Sequence, residues 1–506
     1  MLLEIRKATR HTAIYSVGTA LRRLAAFLLI PLYTRYLSPS EYGTLALILI
    51  MVSVLSIFLN LGMSSALFKF FFETDDRRKR TRIVSTVFFF LVLSSTVLVL
   101  VSVKFADSIS RLLFRSYDYG SLLTIAFITA LMDALTNIPL ALLRAYQKPI
   151  QFTFFSLFRF LSSVSFILFF VLFRGEGVLG VLKGELIASI GTWMVLFPIV
   201  LRHVRFSFST RILGQLLSFG VPLVPSGLAL WILTLSDRYF LQYFSTLKEV
   251  GLYSLGYKLG TLINVLVVAP FTLAWGPLVF SVQRQSNAKA IYSAVLTYFL
   301  FIAAFVGLCF SLYARPLLEK IAMPEYLPSH VVVFPITCSY ILIFAAGATL
   351  SKKTKLLALV TGFAASLNLV LNYLLIPRYG MMGAAFATIL SYCSMAFLML
   401  RASSRVYFIQ YEFSRVGKIA VVTLSIFGLS LLTHRLSFWL ESFCKTVLIL
   451  AYPFLLNLLR FLSENEKQEI RKFLSSPATW INRKLLRRAE YKHLMAREHE
   501  MSASEE

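Results

Sequence analysis

The sequence has little charge, and little of that charge is negative. Asp, Glu, Lys and Arg make up 15% of its 506 residues, against about 25% in an ordinary soluble domain. Lys and Arg number 50 and Asp and Glu only 24, for a formal net charge of +26. The surface of a soluble protein has to be largely polar, so a composition this poor in charge argues against a soluble fold.

Residues that usually carry chemistry are also scarce. The four cysteines form no CxxC pair, and the six histidines show no metal-ligand spacing, so neither a zinc site nor a disulfide framework is expected. No P-loop, HExxH or GxSxG motif occurs, and the single GxGxxG, at residues 175–180, follows an apolar segment instead of a strand. We therefore expect no metal, no cofactor, no catalytic residue and no enzymatic activity.

Long apolar runs dominate the chain. Hydrophobic residues make up 58% of it, and its mean hydropathy is +0.75. Many runs reach the ~20 residues that cross a bilayer as a helix, the conformation that satisfies backbone hydrogen bonds within lipid. The pattern predicts an all-α polytopic membrane protein with about fourteen spans, near residues 12–34, 43–68, 83–104, 119–143, 150–173, 178–200, 212–236, 251–280, 290–313, 331–350, 355–376, 381–401, 415–433 and 443–461.

The positive charge lies in alternate loops, which argues against nucleic-acid binding and for membrane topology. Arg77–Arg80, Arg202 with Arg205, and Arg401 with Arg405 all follow even-numbered spans. The positive-inside rule then places both termini in the cytoplasm, in the cytoplasmic membrane of a prokaryote. The tail begins with a capping-box pattern at Ser463 and Glu466 and is mixed basic and apolar, which fits either a solvated helix or one lying on anionic lipid.

Two pairs of segments indicate an internal repeat. Residues 35–43 and 242–251 each join two spans, and residues 177–184 and 380–387 each open a span with the pattern Gly-x-x-Gly. The members of each pair are separated by nearly the same number of residues and occupy the same places in a six-span unit. Because six is an even number of spans, both halves enter the membrane from the same side. The two halves are therefore expected to be parallel, with a substrate site between them. We expect an N-terminal lobe over 1–201, a C-terminal lobe over 202–402, two further helices over 403–462 and a cytoplasmic tail over 463–506.

Three segments, at 30–47, 219–260 and 367–388, resemble the polysaccharide repeat-unit flippases of the multidrug/oligosaccharidyl-lipid/polysaccharide exporter superfamily. The Ser-Asp-Arg-Tyr at 236–239 with Gly-Leu-Tyr-Ser at 251–254 is the most specific part. The resemblance implies a MATE-like fold of two six-helix lobes around a central cavity. It also implies an undecaprenyl-diphosphate-linked oligosaccharide as cargo, and contact with a polysaccharide polymerase and a chain-length regulator.

Polar residues within the spans are the candidate site. A charge in a span costs about 2.5–3.5 kcal/mol on insertion scales, so such charges tend to face a cavity or a partner. Cations predominate here, and arginine offers a two-pronged fork to a diphosphate. The candidates for substrate binding are Arg22, Arg23, Lys69, Arg159, Arg238, Lys258, Asn368 and Asn372.

Several of these residues have a structural alternative. Arg159 is near enough to a helix end to snorkel, and Asp237 with Arg238 fits a structural pair. Asn368 and Asn372 could equally hold helices together. Asp133 is the best acid for coupling-ion binding, with a hydrogen bond to a neighbouring helix as the alternative.

Two other functions stay open. A cation-coupled multidrug exporter of the same fold would be expected to have acids in its cavity. A membrane-embedded polysaccharide polymerase would usually have a long outer loop with acid and base residues, and the longest outer loop here offers only Glu319, Glu325 and His330.

Overall fold

The computed structural model describes residues 27, 29–282, 285–347, 354–404, 408–464 and 466–468. All regular secondary structure in those ranges is helical, which confirms the predicted all-α class. Residues 29–36 are helical and precede the named helices. These are α1 (Pro39–Asn60), α2 (Met63–Phe72), α3 (Arg77–Lys104), α4 (Ala106–Phe114), α5 (Gly120–Ala145), α6 (Pro149–Leu168), α7 (Gly177–His203), α8 (Thr210–Gly220), α9 (Val224–Leu235), α10 (Asp237–Phe244), α11 (Leu247–Gly260), α12 (Ala269–Val282), α13 (Ala288–Ile321), α14 (Val333–Gly347), α15 (Thr354–Ser404), α16 (Phe413–Leu431) and α17 (Phe438–Leu458).

Eleven helical stretches of the described chain are long and apolar enough to cross a membrane. They agree in position with the predicted spans, but the count of fourteen stays a prediction. The first predicted span lies mostly outside the described residues. Helix α14 is described for 15 residues, up to Gly347, and the residues that follow lie outside the described ones. The two spans predicted within 355–401 form one stretch, α15, with non-helical backbone at Gly380.

Two helices that the repeat relates, α1 and α11, begin with the same kind of cap. The Ser38 hydroxyl accepts a hydrogen bond from the Glu41 N–H at 3.2 Å, and the Glu41 carboxylate accepts one from the Ser38 N–H at 2.8 Å. At α11, Thr246 accepts a hydrogen bond from the Glu249 N–H at 3.2 Å. Such caps satisfy N–H groups that have no partner within the helix.

The same glutamates lie beside the repeated glycines. Gly177 and Gly380 both have positive φ, 53° and 52°. A Cβ at Gly177 would lie 3.0 Å from Oε1 of Glu41, and one at Gly380 would lie 2.4 Å from Oε1 of Glu249. The two sequence repeats therefore have the same local geometry at their glycines and at their helix caps.

Helices α1 and α11 cross in close contact at Gly43 and Gly251. A Cβ on Gly43 would lie 2.0 Å from the carbonyl oxygen of Leu247, and one on Gly251 would lie 1.9 Å from that of Pro39. Only glycine allows two helix backbones to come this close. The two repeats thus meet through equivalent residues, as expected where a two-fold axis passes between them.

The chain divides into two compact units, residues 1–411 and 412–506. The first contains both predicted lobes, and the division of that unit at residue 201 stays a prediction. In the second, α16 packs on α17, which carries a buried ion pair between Glu441 and Lys445. Ser463 and Glu466 form the predicted capping box, with bonds of 2.7 and 3.4 Å, and the tail after residue 468 lies outside the described residues.

Candidate functional site

A cavity of about 460 Å³ lies between the two predicted lobes, within the first unit. Residues 29–33, α1 and α7 form one wall, and α9, α10 and α11 form the other. Its polar lining residues are Tyr33, Tyr42, Glu185, Arg238, Ser254, Tyr257, Lys258 and Thr261. We call this space the central cavity. It brings together two of the predicted substrate residues, Arg238 and Lys258.

Arg238 is held by a buried acid. Its Nη1 donates to Oδ1 of Asp237 at 2.7 Å and to the carbonyl oxygen of Thr234 at 2.6 Å. The Tyr253 hydroxyl donates to the other oxygen of Asp237, and the Arg238 guanidinium lies 3.9 Å from the ring centroid of Tyr257. The charge of Arg238 is thus balanced locally, in agreement with the alternative of a structural pair.

Lys258 differs because it has no acidic partner in the part of the chain that the structure describes. Its ammonium lies 5.7 Å from the ring centroid of Tyr33. The side chain is half-buried and lines the central cavity. An ammonium beside a tyrosine ring in a mostly apolar cavity is poorly solvated, so an anion in the cavity would gain from contact with it.

Arg159 lies in an ion-pair cluster that joins α5, α6 and α7. Its Nη2 is 3.1 Å from Oδ1 of Asp133, 2.9 Å from Oε2 of Glu185 and 2.7 Å from Oγ of Ser189. Ser189 donates to Asp133 at 2.8 Å, and Ser163 donates to Glu185 at 2.6 Å. We call these five side chains the Arg159 cluster. With two carboxylates and one guanidinium, its formal charge is −1.

The two acids of the Arg159 cluster face different spaces. Glu185 lines the central cavity. Asp133 lines a smaller polar cavity of about 120 Å³, whose other polar residues are Ser56, Asn60, Ser64 and Asn137. The cluster therefore lies between two cavities, and Arg159 itself does not line the central one.

The remaining predicted residues lie elsewhere. Asn368 and Asn372 are fully buried on α15, where the Asn372 side-chain N–H donates to Asn368 at 3.0 Å and Ser236 to Asn368 at 3.4 Å. The bond from Ser236 suits the helix-joining alternative, whereas the bond between the two asparagines lies within α15. Lys69 is exposed, with its ammonium 4.4 Å from the ring centroid of Phe219. Arg22 and Arg23 lie outside the described residues.

Glu185 is a cavity-lining residue that is not among the candidates from the sequence. It is an acid within an apolar span, and such an acid is a sign of function or pairing, as at Asp133. The tyrosines Tyr33 and Tyr42 give no comparable signal in the sequence, because aromatic residues make up 15% of the chain. In the described part of the chain, no group of three or more His, Cys, Asp or Glu side chains is arranged to hold a metal ion.

Comparison with known proteins gives a family and a fold. Residues 8–283 match the family described as polysaccharide biosynthesis protein. A stretch of 269 residues is 19% identical to Lsg locus putative protein 1 of Haemophilus influenzae, covering 52% of this chain and 64% of that relative.

Solved structures share the architecture. The lipid II flippase MurJ, in an inward closed conformation, aligns with a TM-score of 0.72 at 16% identity over 88% of this chain and 100% of that one. A multidrug resistance MATE family transporter of the MOP superfamily, facing inward, aligns with a TM-score of 0.61 at 14% identity over 76% and 97%. The predicted MATE-like fold is confirmed.

Proposed function

The chain belongs to the polysaccharide biosynthesis protein family, and on that premise we propose that it is a flippase for an undecaprenyl-diphosphate-linked oligosaccharide. The cargo would cross the cytoplasmic membrane by alternating access between the two lobes, with the polyprenyl tail left in lipid. Both termini would be cytoplasmic, and a polysaccharide polymerase and a chain-length regulator would be partners.

The observation that supports an anionic cargo is which of the cationic side chains are paired with acids. Asp237 neutralises Arg238, and Asp133 with Glu185 more than offsets the charge of Arg159, whereas Lys258 has no acidic partner among the described residues and lines the central cavity. A diphosphate placed there would balance the Lys258 charge without displacing an existing ion pair. Arg22 and Arg23 remain proposed diphosphate ligands on sequence grounds.

The cation-coupled multidrug exporter is the second candidate, because one observation favours it. Glu185 presents a carboxylate to the central cavity, and a cationic drug would be attracted to that group. The two candidates differ in which residue they require, Lys258 for an anion and Glu185 for a cation.

Replacement of Lys258 tests the proposal. We expect Lys258→Gln to reduce export of surface glycan about tenfold or more, because a buried cargo anion would lose its counter-charge. Lys258→Arg should keep part of the activity. The measurement is surface glycan by immunoblot at matched levels of the protein in the membrane.

Lys183→Gln is the matched control. Lys183 is also a lysine of a membrane helix, but its ammonium is 2.7 Å from Glu176 and it does not line the central cavity. Normal export by Lys258→Gln would refute an anionic cargo at this site. Dye efflux by purified protein that is abolished by Glu185→Gln would favour the multidrug exporter instead.

A further inference from the structure

The loop between α7 and α8, which joins the two predicted lobes, is fastened to the side of α3. The Arg205 N–H donates to Oγ of Ser85 at 2.8 Å, and the Ser209 N–H donates to Oγ1 of Thr86 at 3.3 Å. Arg82 Nε donates to Oγ of Ser207 at 3.3 Å. Both acceptors on α3 are fully buried, so the loop has a defined position.

This fixed loop displays aromatic side chains to its surroundings. Phe206 is 101% exposed and Phe208 51%. The Phe206 ring stacks on that of Phe89, with centroids 5.8 Å apart, so it lies flat along α3. A fully exposed phenylalanine is unfavourable in water, but at the boundary between headgroups and acyl chains it is well placed.

Four arginines lie on this loop and on the helix segments that adjoin it. Arg82, Arg202, Arg205 and Arg211 are all exposed, and none is in an ion pair among the described residues. Neither 80–89 nor 202–211 contains an acid. Nearby Arg80 is different, because Asp75 at 2.9 Å and two backbone carbonyls hold it.

We propose that Arg82, Arg202, Arg205, Arg211 and Phe206 form a binding site for the phosphate headgroup of an anionic bilayer phospholipid. The arginines would hold the phosphate, and Phe206 would contact the first part of an acyl chain. The site is distinct from the central cavity and does not depend on the identity of the cargo. A lipid bound there would brace the linker between the lobes against α3.

A simpler explanation of these arginines is a general excess of positive charge on one side of the membrane, which would attract anionic lipids without a defined site. General attraction and a defined site make different predictions. General attraction depends on how many charges are removed, whereas a site depends on which ones. Arg78 and Lys79 are exposed bases at the start of α3, with no side-chain bond to the loop among the described residues, so they provide the matched control.

The test is lipid binding by the purified full chain in uncharged detergent, followed by native mass spectrometry. Phosphatidylglycerol, phosphatidylcholine and a polyprenyl diphosphate are titrated separately. We expect the intact protein to prefer phosphatidylglycerol over phosphatidylcholine. The double variant Arg202→Gln/Arg205→Gln should bind phosphatidylglycerol about tenfold more weakly.

Phe206→Ser retains every charge and should weaken phosphatidylglycerol binding about threefold by removing the acyl-chain contact. Arg78→Gln/Lys79→Gln should stay within about twofold of the intact protein. Equal losses in the two double variants would overturn the site in favour of general attraction. A preference for the polyprenyl diphosphate that is lost in Arg202→Gln/Arg205→Gln would overturn it in favour of a cargo site. Thermal unfolding midpoints identify any variant that is misfolded.

Discussion

At the scale of single residues, pairing decides what each intramembrane charge can do. Sequence reasoning identified Arg159, Arg238 and Lys258 by one criterion, their presence in apolar spans. The structure separates them, because the first two are held by acids and the third is not. That difference depends on how neighbouring helices are rotated, which helical periodicity within one span does not determine.

Asp133 is the residue whose coupling role remains a prediction, and Asp133→Asn tests it. The amide keeps an oxygen that can accept from Arg159 and Ser189, so the fold should survive. If the carboxylate binds a coupling proton or cation, export should fall about tenfold and lose its response to the transmembrane ion gradient. Transport of labelled cargo in vesicles, with and without an imposed gradient, measures both effects.

The matched control for Asp133→Asn is Glu325→Gln, which removes a carboxylate that is exposed outside the spans. It should leave export unchanged. A lower protein level with normal export per molecule would mean that Asp133 serves only to hold α5, α6 and α7 together.

At the scale of helices, more of the structure could be predicted from the sequence than at the scale of side-chain contacts. The repeated glycines Gly177 and Gly380 are a local pattern, and the structure has them where the repeat predicts. The helix caps at Ser38 and Thr246 lie in the other pair of repeated segments, but they were identified from the structure. The breaks within spans were not predicted. The bend at Leu61–Gly62 and the 3-10 turn Val221–Leu223 divide two predicted spans into α1 with α2 and α8 with α9.

The contact between α1 and α11 gives a prediction at this scale. Gly43→Ala adds one Cβ that would lie 2.0 Å from the Leu247 carbonyl oxygen, so the two helices must separate. We expect a loss of about 1–3 kcal/mol in the stability of the contact between α1 and α11, seen as a lower thermal unfolding midpoint of the purified protein. Export should fall as well.

Gly191→Ala is the appropriate comparison, since a Cβ at Gly191 on α7 would meet nothing within 4 Å. That change should be neutral or slightly stabilising, because alanine favours helix by up to about 1 kcal/mol over glycine. Equal midpoints for the two variants would show that α1 and α11 do not need this close approach.

At the scale of the whole molecule, composition alone predicts the class, which the structure confirms, and the charge distribution predicts the orientation. The orientation is still a prediction, and α3 is the best place to examine it. This helix has 28 residues, so at 1.5 Å per residue it is about 42 Å long, enough to place its two ends on opposite sides of a bilayer. Lys79 is at its basic start, and Asp118 is in the loop beyond its other end; both are exposed.

Single cysteines at these two positions should react differently with a membrane-impermeant maleimide in intact cells. If bases mark the cytoplasmic side, Asp118→Cys is labelled and Lys79→Cys is labelled only after the cells are opened. The unsubstituted protein, with its own four cysteines, sets the background. The reverse labelling pattern would show that the orientation is opposite to the predicted one. Helices α1 and α11 both begin after loops that follow odd-numbered spans, which the prediction places on the outer side of the membrane. In the reverse orientation, the contact between Gly43 and Gly251 would lie near the cytoplasmic side instead.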